Sequence, residues 1–162
     1  SSFSKTLAPG YRIGWCAPGQ FTSKVEHLKA ITNIATAGIV QQSLLELLRT
    51  GAYDRHMRKM RVAIQKQLFL TAQAIEAYFP KGTRISRPQG GFVLWVELPR
   101  KVNAFSFQKR ALLQHIDIAP GPIFSSKGDY TNYIRISSQN TWSRKVETAI
   151  KKLGNIAHEL NG

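Results

Sequence analysis

The sequence has 162 residues, enough for one ordinary core, and carries 23 Lys and Arg against 9 Asp and Glu, a formal net charge of +14. Charge alone points to an acidic partner such as nucleic acid. However, no zinc-finger spacing or aromatic-basic stacking pattern accompanies it, and many of the cations fall on predicted helix faces that suit solvent or docking. The single cysteine, Cys16, excludes an internal disulfide framework and suits a reducing cytoplasm, the four histidines share no ligand-like spacing, and no apolar run is long enough to span a bilayer.

In chain order, residues 11–17 read as a short strand closed by Ala17-Pro18-Gly19, with Cys16 expected to be a buried, inert thiol within an apolar run. Phe21, Val25, Leu28 and Ile31 keep helical spacing over 21–32, and a second helix is predicted over 40–49, with Gly51 placed to end it. From Ala52 to Phe79 the series Tyr53, Met57, Met60, Ile64, Leu68, Ile75 and Tyr78 predicts one long helix that Pro80 stops. Arg55, Arg58, Lys59, Arg61 and Lys66 lie along it.

Beyond Lys81-Gly82 the period becomes strand-like. Residues 83–86 and 91–98 read as an antiparallel pair, with Phe92, Leu94, Val96 and Leu98 on one face and Val93, Trp95 and Glu97 on the other. A helix over 104–115, a short strand over 116–119, a Pro120-Gly121-Pro122 break and a last strand over 133–137 follow. Ser143 is placed to cap a final amphipathic helix built on Val146, Ile150, Leu153, Ile156 and Leu160. Strands with helices between them, after a long helix, predict an α+β sandwich: an antiparallel sheet with helices on one face.

The opening string Ser1-Ser2-Phe3-Ser4-Lys5 sets an amine among small hydroxyl residues, and Arg12 follows seven positions later. A lysine can hold an aldehyde as an imine, while hydroxyls and a guanidinium can hold a phosphate dianion. Near the other end, Ile134 and Ile136 alternate with Tyr133, Arg135 and Ser137, so Arg135 stands in an otherwise uncharged strand and must face water, a ligand or an ion-pair partner. Gly90-Gly91 before Phe92 marks a bulge or tight bend entering a strand.

The Ser2-x-Ser4-Lys5 segment with Arg12-Ile13-Gly14 closely resembles the active-site segment of fold-type I pyridoxal-phosphate enzymes, the aspartate aminotransferase superfamily. The resemblance implies an α/β fold, the C-terminal portion of the fold-type I architecture. It also implies Lys5 as the internal-aldimine lysine, Ser2, Ser4 and Arg12 as phosphate contacts, Arg135 as the grip on a substrate α-carboxylate, and Gly91 near the substrate cleft. Three further strings, Gly90 to Pro99, Ile118 to Ser125, and Trp142 to Gly154, resemble the C-terminal region of MocR regulators. These are regulators of the GntR class with a winged-helix DNA-binding domain ahead of an aminotransferase-like domain. True α-amino-acid aminotransferases of the kynurenine or 2-aminoadipate type are the alternative.

From that resemblance follow a C-terminal remnant of the large, cofactor-binding domain over 1–51, a connecting helix over 52–79 and a small domain over 80–162. The implied cofactor is pyridoxal 5'-phosphate and the implied ligand an amino acid or amine. A cytoplasmic homodimer is implied, with DNA bound only through a winged helix upstream of Ser1. The sequence reads as the C-terminal piece of a longer protein, expected to be inactive and to hold the cofactor weakly by itself.

Overall fold

The computed structural model describes residues 1–162, and the chain divides into two compact units, Ser1–Met60 and Arg61–Gly162. In the first unit, short 3-10 turns at Pro9–Tyr11 and Gly19–Phe21 precede helices α1 (Thr22–Thr32) and α2 (Gly38–Arg49). Gly51 then adopts φ +65, which lets α2 end and the long helix α3 (Ala52–Tyr78) begin. Only Ile13 and Leu44 are buried apolar residues in this unit.

The expected strand over 11–17 does not form. Pro9–Tyr11 is a 3-10 turn, and Arg12 takes a left-handed conformation at φ 48. What remains of strand pairing is one antiparallel bridge between Ser2 and Gly14. It is flanked by Trp15 N–H donating to Ser1 O at 2.9 Å and Phe3 N–H donating to Ile13 O at 3.1 Å. An extended segment needs a neighbour to satisfy its backbone groups, and here the partner runs only from Ser1 to Phe3. Pairing ends at Trp15, so Cys16 is exposed rather than buried.

The second unit holds a four-stranded sheet in the order β1-β2-β4-β3, from β1 (Arg84–Ile85), β2 (Val93–Glu97), β3 (Ala119–Pro120) and β4 (Tyr133–Ser137), with every neighbouring pair antiparallel. The predicted pair over 83–86 and 91–98 is present in shortened form, and the strand expected over 116–119 is confined to its last residue and Pro120. Helices α4 (Ala104–Leu113) and α5 (Arg144–Asn161) complete the unit. Asn103 caps α4 by accepting from Phe105 N and Ser106 N, and Ser143 caps α5 by accepting from Val146 N.

Period-two alternation places Leu94, Val96, Ile134 and Ile136 on the buried face, where they meet Phe107 and Ala111 of α4, Ile150 and Leu153 of α5, and Ala74 and Ile75 of α3. Seventeen buried apolar residues form this one cluster. At roughly 1.5–3 kcal/mol for each large side chain buried, this cluster is the main apolar contribution to the stability of the unit. The close approach of α5 to the end of α3 depends on Gly154, because a Cβ there would clash with the Tyr78 carbonyl. Nearby, Tyr78 donates to Glu147 at 3.1 Å, and Gln67 accepts from Trp142 N at 2.6 Å. This is the α/β class with an α+β sheet and helices on one face, as the alternation and the helical periods predict.

Candidate functional site

In the first unit, the Ser2–Gly14 bridge folds the N-terminal segment back on residues 13–15, and Ser2, Ser4 and Arg12 converge. Ser2 Oγ lies 3.0 Å from Ser4 Oγ and accepts from Ser4 N at 3.1 Å, and Arg12 Nη1 donates to Ser4 Oγ at 3.3 Å. The left-handed backbone of Arg12, rare for a residue with a Cβ, is part of the turn that returns its guanidinium to Ser4. Gly14 makes the bridge possible, since a Cβ there would lie 2.5 Å from Ser1 O.

Lys5 is exposed and adjoins this cluster in the chain. Two hydroxyls and a guanidinium brought together from residues 2–4 and 12 form a donor set whose chemistry suits a phosphate dianion, and the lysine next to Ser4 in the chain suits a carbonyl carbon. The residues present therefore fit a pyridoxal-phosphate group.

His56 on α3 was not singled out from the sequence, yet its Nε2 is 2.8 Å from the carbonyl oxygen of Thr6, next to Lys5. Phe3 and Tyr53 meet edge to face with ring centroids 5.7 Å apart. These contacts tie the lysine-bearing turn to the start of α3. Fifty residues separate His56 from Thr6, so no local spacing announces the pair.

In the second unit, Arg135 stands on β4 opposite Trp95 of β2 and Ala119 of β3, on the sheet face away from the helices. Its guanidinium carbon lies 4.7 Å from the centroid of the Phe124 ring. The ion pairs of the chain are Arg49–Glu46, Arg84–Glu97 and Arg110–Glu159, so no carboxylate engages Arg135. An open cleft of about 320 Å³ runs beside it, lined by Asp117, Ala119, Ile123 and Ser137 among others. Trp95 stacks on Tyr133 at 5.6 Å and meets Phe124 and Tyr130 edge to face at 5.6 and 5.5 Å. Gly91, at φ +80, turns the chain into β2, with nothing within 4 Å of where a Cβ would stand.

The geometry thus brings Ser2, Ser4 and Arg12 together beside Lys5, and sets Arg135 in an aromatic corner on a sheet face. The aromatic corner was not legible as a site. Its members come from β2, β4 and the loop between β3 and β4, and only the three-dimensional register unites them.

Residues 1–153 match the model of the family "Aminotransferase class I and II", and the chain belongs to that family. Among its relatives are two HTH-type transcriptional regulators of Escherichia coli, both of the MocR type. YjiR is 38% identical over 154 residues, covering 95% of this chain and 33% of that protein; YdcR is 35% identical over 159 residues, covering 98% and 34%. A solved kynurenine aminotransferase from Pyrococcus horikoshii, in complex with PMP, superposes with a TM-score of 0.88 at 28% identity, covering 97% of this chain and 39% of that one. The chain therefore has the fold of the C-terminal portion of the fold-type I enzymes, and it spans about a third of the length of the curated relatives it matches. No helix is long and apolar enough to cross a membrane.

Proposed function

We propose that this chain is the C-terminal part of an aminotransferase-like, ligand-sensing domain of a MocR-type transcriptional regulator that binds pyridoxal phosphate and an amino-acid-like effector. The observation that carries the cofactor reading is the convergence of Ser2, Ser4 and Arg12 beside Lys5. Identities of 35% and 38% to YdcR and YjiR, against 31% to an uncharacterized aminotransferase of Saccharolobus solfataricus, support the regulator over the enzyme. On this reading the protein is a cytoplasmic homodimer, and DNA is held by a winged helix upstream of Ser1. The domain plan is a remnant of the large domain over 1–51, a connecting helix over 52–79 and a small domain over 80–162.

Pyridoxal phosphate, when bound, supplies an electron sink for the bonds at an amino acid's α-carbon. The rest falls to the chain. Ser2 and Ser4 hydroxyls and the Arg12 fork would hold the phosphate through charge-assisted hydrogen bonds. Lys5 would supply the amine that anchors the cofactor and, when not so engaged, could hold or move a proton. Arg135 takes the ligand's α-carboxylate through its two parallel N–H bonds, and Gly91 keeps the entrance to β2 free of a side chain. In a regulator, ligand binding at these residues need only shift a conformational equilibrium, and turnover is optional.

The test uses the complete protein. Pyridoxal phosphate should give a stoichiometric visible absorption band that Lys5→Ala abolishes, and an amino acid should change both the band and the affinity for DNA. A protein that instead sustains amino-group transfer to a 2-oxo acid, with DNA affinity unmoved by amino acids, is an aminotransferase. The 162-residue chain alone should bind the cofactor weakly, and a stable stoichiometric band from it would overturn that expectation.

A further inference from the structure

The geometry points to Phe124 as a positioning residue for Arg135, holding the guanidinium ready for a carboxylate without occupying it. This rests on the reading of Arg135 as the carboxylate partner. Arg135 has no acidic partner, and its guanidinium carbon lies 4.7 Å from the Phe124 centroid, within cation–π range. A ring attracts the charge but accepts none of its N–H donors as a carboxylate would. The bidentate edge of the guanidinium stays available to a ligand.

The ring is itself braced. Phe124 meets Trp95 edge to face at 5.6 Å, and Trp95 is the cross-strand neighbour of Arg135 and stacks on Tyr133. Arg135 is thus bounded by the indole along the sheet and by Phe124 against its charge. A long, rotamer-rich side chain at an exposed position would otherwise lose freedom on engaging a ligand. Prior restraint by the ring lowers that cost and favours ligands that carry a carboxylate over the same amines without one.

The test measures discrimination in the complete, cofactor-loaded protein: the ratio of the Kd for n-pentylamine to that for L-norleucine, the same skeleton with the carboxylate added. Phe124→Leu keeps an apolar group and removes the π face. It should lower the ratio about two- to five-fold, and Phe124→Tyr should restore it. Arg135→Lys should lower it further, since an ammonium cannot reproduce the fork. A second readout is structural: the Arg135 Hε and Hδ resonances of the 162-residue chain, assigned by their loss in Arg135→Lys, should carry a ring-current shift that Phe124→Leu removes and Phe124→Tyr retains.

A ratio that collapses in Arg135→Lys but stays unchanged in Phe124→Leu overturns the role of Phe124 and leaves that of Arg135 standing. A ratio untouched by Arg135→Lys overturns the carboxylate reading itself. Should norleucine not bind at all, the resonances decide, and no shift attributable to Phe124 overturns the inference.

Discussion

The two units differ in what they bury. Residues 61–162 close seventeen apolar side chains into one cluster between the sheet and three helices, with Val96, Phe107 and Ile134 wholly inaccessible. Residues 1–60 bury two, Ile13 and Leu44, and leave Ile31, Ile34 and Ile39 at 66%, 82% and 79% exposure. A helix hydrophobic on an uncovered face is held by propensity and local hydrogen bonds, whereas one packed on a sheet shares the stability of the whole core. The contrast predicts that the arginine-bearing unit is the stable half and the lysine-bearing unit the conditional one.

The sharpest way to break that contrast is in the core. Phe107→Ala should destabilise the second unit by about 3–5 kcal/mol, read from the urea midpoint followed through tryptophan fluorescence. Gly154→Ala should cost about 1–3 kcal/mol in the same titration although alanine is the better helix former, because the added carbon meets the Tyr78 carbonyl. Ser143→Ala, which removes the cap of α5, should cost about 1 kcal/mol, with Ser143→Asp largely retaining it.

Tyr78 should give a smaller, pH-dependent effect. Its hydrogen bond to Glu147, reinforced by that carboxylate's charge and by burial, raises the phenol above its ordinary value. A raised value means that the protonated form is the one stabilised by folding. The contribution is therefore present below the unfolded value near 10 and lost as pH rises through the raised one. Denaturation of wild type and Tyr78→Phe should diverge at neutral pH and converge in strong alkali.

Least of all, Ile39→Ser in α2 should change stability by under about 0.5 kcal/mol. Hydrogen exchange should correspondingly show α1 and α2 amides exchanging well before those of β2 and β4. A large loss from Ile39→Ser, or equal protection in both units, would show that the first unit is better buried than its accessibility implies.

Much of this was legible in the sequence where a period or a cap is local. The apolar series from Tyr53 to Tyr78 gave α3, alternation around Leu94 and Val96 gave β2, and Ser143 marked the start of α5. The failures share a cause. Residues 11–17 have strand-like composition, but strands exist only in pairs, and whether a partner lies alongside cannot be read from the segment itself; Cys16 was misplaced with them. The Lys5 motif was readable because its parts lie within twelve residues of one another. The Arg135 corner was half readable: the arginine stood out as a lone charge, but the ring that faces it belongs to a loop whose path depends on Gly121, where a Cβ would clash with the Tyr130 carbonyl.

The pairing of Trp95 with Arg135 and of Val96 with Ile134 fixes a phase as well as a partner. Adding or deleting one residue within β4 would rotate Arg135 into the space now filled by Ile134 and Ile136, setting a bare guanidinium among Leu94, Phe107 and Leu153. A two-residue change would preserve the phase and merely lengthen or shorten the ribbon. Among descendants of this sequence, length changes in that strand should therefore survive in even numbers, and parity becomes a record of selection on a single side chain.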